Sequence, residues 1–304
     1  MESTLINLSN ELARIVRTVD PRVVSIRARR RYPSSGVLWS PGVVVTTDHT
    51  IQREDEIAVT FSDGKTVNAT LAGRDPGTDL AVLKVESSAS SAEQIGRAND
   101  VTPGELALVV GRSPDSGVNA SLGIVSAKSG PWRTWRGGQL DAYVRLDAKL
   151  FPQSSGGAVV NGRGEIIGIA TPALSRIAGV AIPVSTVQSV TEKLLQRGFV
   201  PRGYLGLGAQ RVPFSEELRK KLSIPNQAGL IVLAVEPGGP AEKAGILIGD
   251  VVTSIDDHAI EQSDELQMYL DSGMIGKSVK IGYVRGGALS QSAVIVGERP
   301  GRRS

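Results

Sequence analysis

Between Val23 and Ile182 short apolar runs alternate with clusters of Gly, Pro, Asp and Ser. "EIAVTF" (56–61) places Ile57, Val59 and Phe61 at every second position, the period that puts one face of a strand on a core. "SDGK" then turns the chain into "TVNATLAG" (66–73), and "DLAVLKVE" (79–86), "LALVVG" (106–111), "LGIVSAK" (122–128), "YVRL" (143–146), "EIIGIAT" (165–171) and "GVAIP" (179–183) follow. Many short strands at such spacing predict an all-β barrel or sandwich. The period lengthens at both ends of this region. Leu5, Leu8, Leu12, Ile15, Val16 and Val19 recur at helical spacing, so residues 1–20 read as an amphipathic helix leading into the fold. Val187, Val190, Leu194 and Leu195 mark a second helix, with Ser185 as its N-cap and Gly198 past its end.

After "FVPRG" the pattern changes to strand, short helix, strand, helix, strand, strand. "PAEKAG" (240–245) has Pro near its start and Gly at its close, as a short helix does. "SDELQMYL" (263–270) begins with a capping Ser and spaces Leu266, Tyr269 and Leu270 as one helix face, and "SVKIGYV" (278–284) turns Val279, Ile281 and Tyr283 inward. The expected organisation is a leading helix over 1–20, a β domain over 21–200, a smaller α+β domain over 201–300 and a basic tail over 301–304.

With 304 residues, 40% of them apolar, the chain can build two ordinary domains. It has no cysteine, which removes thiolate catalysis, disulfides and Cys-based zinc sites. Its two histidines, His49 and His258, lie far apart, and no dense carboxylate spacing suggests a metal, so neither metal nor cofactor is expected. The net charge of +3 is mild; "RARRR" (27–31) and "RPGRRS" (299–304) read as solvated faces, and nucleic acid is not an expected partner. "GKT" (64–66) and "GKS" (276–278) lack the earlier Gly of a phosphate loop, since Val59 and Asp271 stand there. The first twenty residues lack the basic start and apolar core of a signal peptide, and no run approaches the roughly eighteen apolar residues of a membrane span. The expectation is therefore a cytoplasmic protein without membrane contact.

"FPQSSGGAVV" (151–160) sets Ser155 before a Gly pair, either as a nucleophile held in a turn or as a loop hydroxyl between two strands. Acyl transfer by a serine needs a base, a group that orients the base, and donors for the oxyanion. His49, in "VVVTTDHTI" after an apolar strand, can lean over a cleft, whereas His258 in "IDDHAI" reads as an exposed loop residue. Asp79 opens an apolar strand where a carboxylate can be buried beside an imidazole, whereas Asp75 in "RDPG" reads as a turn residue. The order His49, Asp79, Ser155 supplies one candidate for each role.

Taken with their flanks, these residues resemble a known family. "GVVVTTDHTI", "GRDPGTDLAVLKVE", "SLGIVSAKSG", "PQSSGGAVVNGRGEIIGIAT" and "GVAIPVSTV" are similar to successive signature blocks of the HtrA/Deg serine proteases. "RGYLGL" (202–207), "GLIVLAVEPGGPAEKAGILIGDVVTSIDD" and "SDELQMYL" are similar to the PDZ module. The resemblance covers about residues 20–298 and implies a mainly β fold, a chymotrypsin-like double β-barrel protease domain followed by an α+β PDZ domain. It implies His49 as general base, Asp79 as its orienting carboxylate and Ser155 as nucleophile. The amides of Gln153 and Ser155 become the oxyanion hole, and Tyr204, Leu205, Gly206 and Leu207 the loop that receives a peptide carboxylate. The implied activity is endopeptidase cleavage of unfolded or damaged polypeptides, with peptide C-termini as PDZ partners and a homotrimer as the assembly. Two departures stand out. The family segment before the serine reads Asn-Pro-Gly-Asn-Ser, so Gln153 replaces the oxyanion-hole glycine and resists positive φ. Lys149 replaces a small apolar residue near the specificity pocket. The alternative function is a weak or inactive protease fold kept as a peptide-binding scaffold, and Gln153 is its motive.

Overall fold

The computed structural model describes residues 4–86, 100–270 and 272–299. It divides into two compact units, residues 1–200 and 201–304. The first begins with α1 (Thr4–Val19), in which Ile15 and Val19 are buried, Leu12 and Val16 are partly covered, and Leu5 and Leu8 remain exposed. The predicted stripe thus packs only along its C-terminal half. The strands β1 (Val23–Arg27), β2 (Ser34–Ser40), β3 (Val43–Thr46), β4 (Ile57–Thr60), β5 (Thr66–Asp75) and β6 (Leu80–Val85) close into one barrel in the order β1-β2-β3-β6-β5-β4.

A second barrel takes β7 (Leu106–Ser113), β8 (Gly117–Ser129), β11 (Tyr143–Asp147), β12 (Ala158–Asn161), β13 (Ile166–Thr171) and β14 (Gly179–Pro183) in the order β11-β14-β13-β12-β7-β8. A small ribbon of β9 (Trp132–Arg133) and β10 (Gln139–Leu140) interrupts it. Alternation explains why several of these strands read as continuous apolar runs. On β6, Leu80 and Val82 join the core shared by both barrels, while Ala81 and Leu83 fill the first barrel. On β12, Ala158 and Val160 face the shared core and Val159 fills the second barrel. Both faces are buried, as in any strand between two cores.

The unit closes with α2 (Val184–Arg197), which ends at Gly198 in the left-handed region, φ 78°. Its N-cap is Pro183 rather than Ser185, because β14 runs directly into the helix and Pro fixes the entry without a side-chain cap.

The second unit contains β15 (Gly203–Tyr204), β16 (Leu207–Pro213), α3 (Glu216–Leu222), β17 (Ala228–Val235), α4 (Pro240–Lys243), β18 (Val251–Ile255), β19 (His258–Ala259), α5 (Ser263–Tyr269), β20 (Ser278–Arg285), β21 (Ala288–Ile295) and β22 (Gly297–Glu298). Its sheet runs β16-β17-β18-β20-β21 with β19 beside β18, and β15 pairs with β22. Gln262, not Ser263, caps α5: it forms a reciprocal capping box with Glu265, leaving Ser263 as the first helical residue. No helix among the described residues is long and apolar enough to cross a membrane. The basic stretch at 300–304 lies outside the described residues.

Leu205, Leu230, Val232, Ile246, Val252, Ile255, Ile281 and Val294 belong to one core drawn entirely from the second unit. Residues 201–299 produced alone should therefore fold and unfold cooperatively in urea. A broad transition without protected amides would show that this core is insufficient.

Candidate active site

His49 lies in a single 3-10 turn, Asp48–Thr50, just after β3. Arg74 on β5 holds this turn. Its Nε donates to the Asp48 carboxylate at 2.5 Å, its Nη2 to the carbonyls of Asp48 and Ile51 at 3.3 and 3.2 Å, and its Nη1 to Glu54 at 3.1 Å. Burial pushes the Asp48 carboxyl pKa up, and the hydrogen bond and charge of Arg74 reverse this only in part. Asp48 therefore needs its partner.

Asp79 immediately precedes β6, with a fully buried side chain and a positive φ of 57°. An Asp tolerates that conformation better than most residues. The preceding turn is built on Asp75, whose carboxylate accepts the N–H groups of Gly77 and Thr78 and the Thr78 hydroxyl. Asp75 is thus the turn residue its sequence suggests, and the turn delivers the chain to Asp79.

The Asp79 carboxylate accepts four contacts. Oδ1 takes the backbone N–H of His49 at 3.0 Å, and Nδ1 of the ring lies 3.1 Å from Oδ1 and 2.9 Å from Oδ2. Oδ2 also accepts the hydroxyl of Thr171 at the end of β13. An ionised carboxylate has no proton to give, so Nδ1 carries the hydrogen and Nε2 is left as an acceptor. Among the described residues the hydrogen bonds of the His49 ring run to Asp79 alone, so the link toward Ser155 is not closed. Catalytic contacts are often long without substrate.

Ser155 follows a 3-10 turn over Pro152–Ser154 and is 2% exposed. The next residues are tied to both barrels. Ser35 N–H donates to the Ser155 carbonyl at 2.9 Å, and Gly156 N–H donates to the Ala170 carbonyl at 2.9 Å. Gly156 has φ 83°, and a Cβ there would stand 2.2 Å from the Ser35 carbonyl oxygen and 2.5 Å from Thr46 Oγ1. Only glycine fits. This strip brings Gly156, the residue after Ser155, against Thr47, two residues before His49, and onto Ala170, the neighbour of the Thr171 that holds Asp79.

The turn before Ser155 is closed by Ser154 N–H on the Phe151 carbonyl at 2.9 Å, with Pro152 and Gln153 as its central residues. Gln153 is not among the residues with positive φ, so the turn is of type I, not the type II that needs a left-handed residue at its third position. Its carbonyls turn toward the β1–β2 hairpin: Pro152 O accepts from Arg29 Nη2 at 2.8 Å and Gln153 O from Ser35 Oγ at 2.6 Å. The "RARRR" cluster is thus not wholly a solvated face. Arg29 is half-buried and spends its guanidinium on the carbonyls of Tyr32, Pro33 and Pro152. Lys149 is exposed, with Nζ 4.7 Å from the Phe151 ring centroid.

In the second unit, Leu205 is buried and Gly206 is left-handed at φ 77°, so Tyr204–Leu207 makes a tight bend into β16. The bend is anchored by Glu236 N–H on the Gly206 carbonyl and Ala241 N–H on the Leu205 carbonyl, and Tyr204 Oη hydrogen-bonds Glu236. β16 is an edge strand, paired only with β17. His258 is exposed in β19 with its ring 4.9 Å from that of Tyr269, so it takes no part in the Asp79 network. Sequence reasoning missed Thr171, Arg74, Ser35 and Arg29; each acts across the fold and leaves no local pattern. Among the described residues no group of three or more His, Asp or Glu is arranged to hold a metal.

Arg74→Ala should lower stability by about 1.5 kcal/mol, the low end for a hydrogen bond to a charged group because the guanidinium is one-third exposed and screened. It should also lower kcat more than it raises KM, since the His49 turn loosens, and Arg74→Lys should recover part of the loss. Melting curves and steady-state kinetics on one peptide check both; unchanged kcat in folded Arg74→Ala would show that the turn stands without it.

Residues 34–169 match the family of trypsin-like peptidase domains, and residues 206–296 match the PDZ domain. The chain is 31% identical over 272 residues to a probable periplasmic serine endoprotease, DegP-like, of Ectopseudomonas mendocina; that match takes 88% of this chain and 56% of the relative. The chain spans a little under three fifths of the length of such curated relatives. Among solved structures it is similar to the HtrA-type protease AlgW with a tripeptide, at 30% identity and a TM-score of 0.76, covering 95% of this chain and 97% of that one. It is also similar to a serine endoprotease from Yersinia pestis, at 28% identity and a TM-score of 0.77, covering 99% and 100%. The periplasmic names of the curated relatives contradict the cytoplasmic expectation. That expectation rested on the lack of a signal-peptide pattern in residues 1–20 and of a membrane-spanning run, and neither lack supplies an address. Two closed barrels, the first setting Asp79 against His49 and the second supplying Thr171 and the glycine strip behind Ser155, together with these relatives place the chain in the HtrA/Deg family of serine proteases.

Proposed function

We propose that the chain is a periplasmic serine endopeptidase that cleaves unfolded or damaged polypeptides through His49, Asp79 and Ser155, with the bend at Tyr204–Leu207 receiving peptide C-termini. The observation that carries this reading is the buried Asp79 carboxylate on His49 Nδ1, which leaves Nε2 free to take a proton. Ser155 Oγ attacks the scissile carbonyl, Nε2 accepts the hydroxyl proton, and Asp79 stabilises the imidazolium. Nε2 then returns the proton to the leaving amine, and water repeats the sequence on the acyl-enzyme. No cofactor enters these steps.

The oxyanion needs the N–H groups of Ser155 and Gln153. In the type I turn the Pro152–Gln153 peptide has its carbonyl on Arg29, so bringing the Gln153 N–H to the oxyanion requires that peptide to turn over and Gln153 to take positive φ. That conformation costs roughly 1–3 kcal/mol for a residue with a Cβ. One oxyanion donor contributes about 2.7–4 kcal/mol to the transition state. The two ranges meet only at their ends, so the donor outweighs the strain over most of both, and the reading this favours is a slow enzyme rather than a scaffold. Assembly as a homotrimer belongs to the same proposal.

For the second unit, the free edge of β16 beside α5 and the left-handed Gly206 support strand addition with carboxylate capture. The similar AlgW proteases have been solved with a tripeptide or a decapeptide.

A fluorophosphonate probe tests the peptidase directly. Labelling and peptide turnover should both vanish in Ser155→Ala and in His49→Ala, with little further loss in the double variant, while His258→Ala behaves as wild type. Turnover that survives Ser155→Ala, or a wild type that never labels, would leave the scaffold as the better reading. Peptides ending in an apolar residue with a free carboxylate should bind, and C-terminal amidation should weaken them at least tenfold in a titration. Equal affinity for acid and amide would rule out carboxylate capture.

A further inference from the structure

The β1–β2 loop contributes one side chain to the turn before Ser155, and it is a cation. Arg29 Nε donates to the Tyr32 carbonyl at 2.6 Å, and Nη2 donates to the carbonyls of Pro33 at 3.0 Å and Pro152 at 2.8 Å. The first two contacts lie within its own loop and fix the guanidinium; the third reaches 123 residues along the chain to the peptide between Pro152 and Gln153. Burial lowers the Arg29 pKa, so water is partly stripped from this charge where the carbonyls replace it.

Type I and type II turns differ mainly in the orientation of their central peptide. In the type I turn of this chain, that peptide offers Arg29 an acceptor. Once turned over, it would present the Gln153 N–H on that side, and a donor would face a donor. A guanidinium has no acceptor to offer. Arg29 therefore stabilises one of the two turns and opposes the other.

We propose that Arg29 is a positioning residue that holds the oxyanion turn in its resting conformation, so that the Pro152–Gln153 peptide rotates only when substrate or a partner draws Pro152 O off the guanidinium. The inference rests on the peptidase reading above and adds a restraint to it. Gln153 sets an intrinsic preference for the resting turn, and Arg29 adds a tertiary one. Ser35 plays no part in the choice, because its hydroxyl holds the carbonyl of Gln153, which belongs to the following peptide.

The test uses the full chain and a single peptide substrate. Arg29→Ala should raise kcat/KM by about tenfold, the factor expected from losing one charge-assisted hydrogen bond in the resting state alone. The gain should appear in kcat with little change in KM, since the fraction of competent enzyme rises. Arg29→Met, which keeps the packing of the stem and removes every donor, should do the same if the alanine variant melts early. Arg29→Lys restores a charged donor and should stay near wild type. Rates that are unchanged or lower in folded Arg29→Ala and Arg29→Met would overturn the proposal; a fall would mean that the guanidinium assists the reaction. Gln153→Gly separates this from failure of the peptidase reading. A fast, fluorophosphonate-labelled Gln153→Gly enzyme with an unresponsive Arg29 removes the restraint only. A Gln153→Gly variant that neither turns over nor labels removes the peptidase reading, and the restraint with it.

Discussion

At Gly156 the chain passes so close to the first barrel that a Cβ would stand 2.2 Å from the Ser35 carbonyl oxygen. The site depends on this approach. It lets Ser35 N–H reach the Ser155 carbonyl and Gly156 N–H reach Ala170, so one strip of second-barrel backbone is bonded to β2 and β13 together. The position of Ser155 then follows from barrel packing rather than from the loop's own preferences. Asp79 is held from the same two sides: its turn belongs to the first barrel and its Thr171 partner to the second. A loss of register between the barrels would separate Ser155 from His49 before it changed either barrel.

The site divides into a part held by tertiary contacts and a turn for which we propose a second conformation. Asp79, His49 and Thr171 form a connected network around a buried carboxylate, and Arg74 joins it through Asp48. The turn over 151–154 sits beside it as type I, and one peptide rotation separates this form from type II. A glycine at 153 would move between them freely; a glutamine favours one. On the proposed reading, the nucleophile and the Gln153 part of its restraint lie on one loop, and Arg29 adds its part from the β1–β2 loop without touching His49 or Asp79.

These strands were legible because alternation and turn residues are local signals: "EIAVTF" in the first barrel and "SVKIGYV" in the second unit's sheet bury the residues their period selects. β12 was not read as a strand, because "SSGGAVV" looks like a loop until its glycines are seen to permit close approach. α3 escaped because none of its residues is buried; its start is fixed by Ser215, whose side chain accepts the Leu218 N–H. The pairing of His49 with Asp79 was readable from scarcity and setting, there being two histidines and one Asp opening the apolar run Leu80–Leu83. Thr171 and Arg29 were not. Their contacts join residues 92 and 123 apart, and a distance of that kind is decided by barrel closure, which no window of sequence contains.

The central claim is that the turn before Ser155 changes conformation when the oxyanion forms. A crystal structure of the chain with a peptidyl phosphonate bonded to Ser155 Oγ tests it most directly. The account predicts a turned Pro152–Gln153 peptide, positive φ at Gln153, the N–H groups of Gln153 and Ser155 both on the phosphonyl oxygen, and Pro152 O withdrawn from Arg29. A bonded phosphonate with the type I turn intact and Pro152 O still on Arg29 would contradict it.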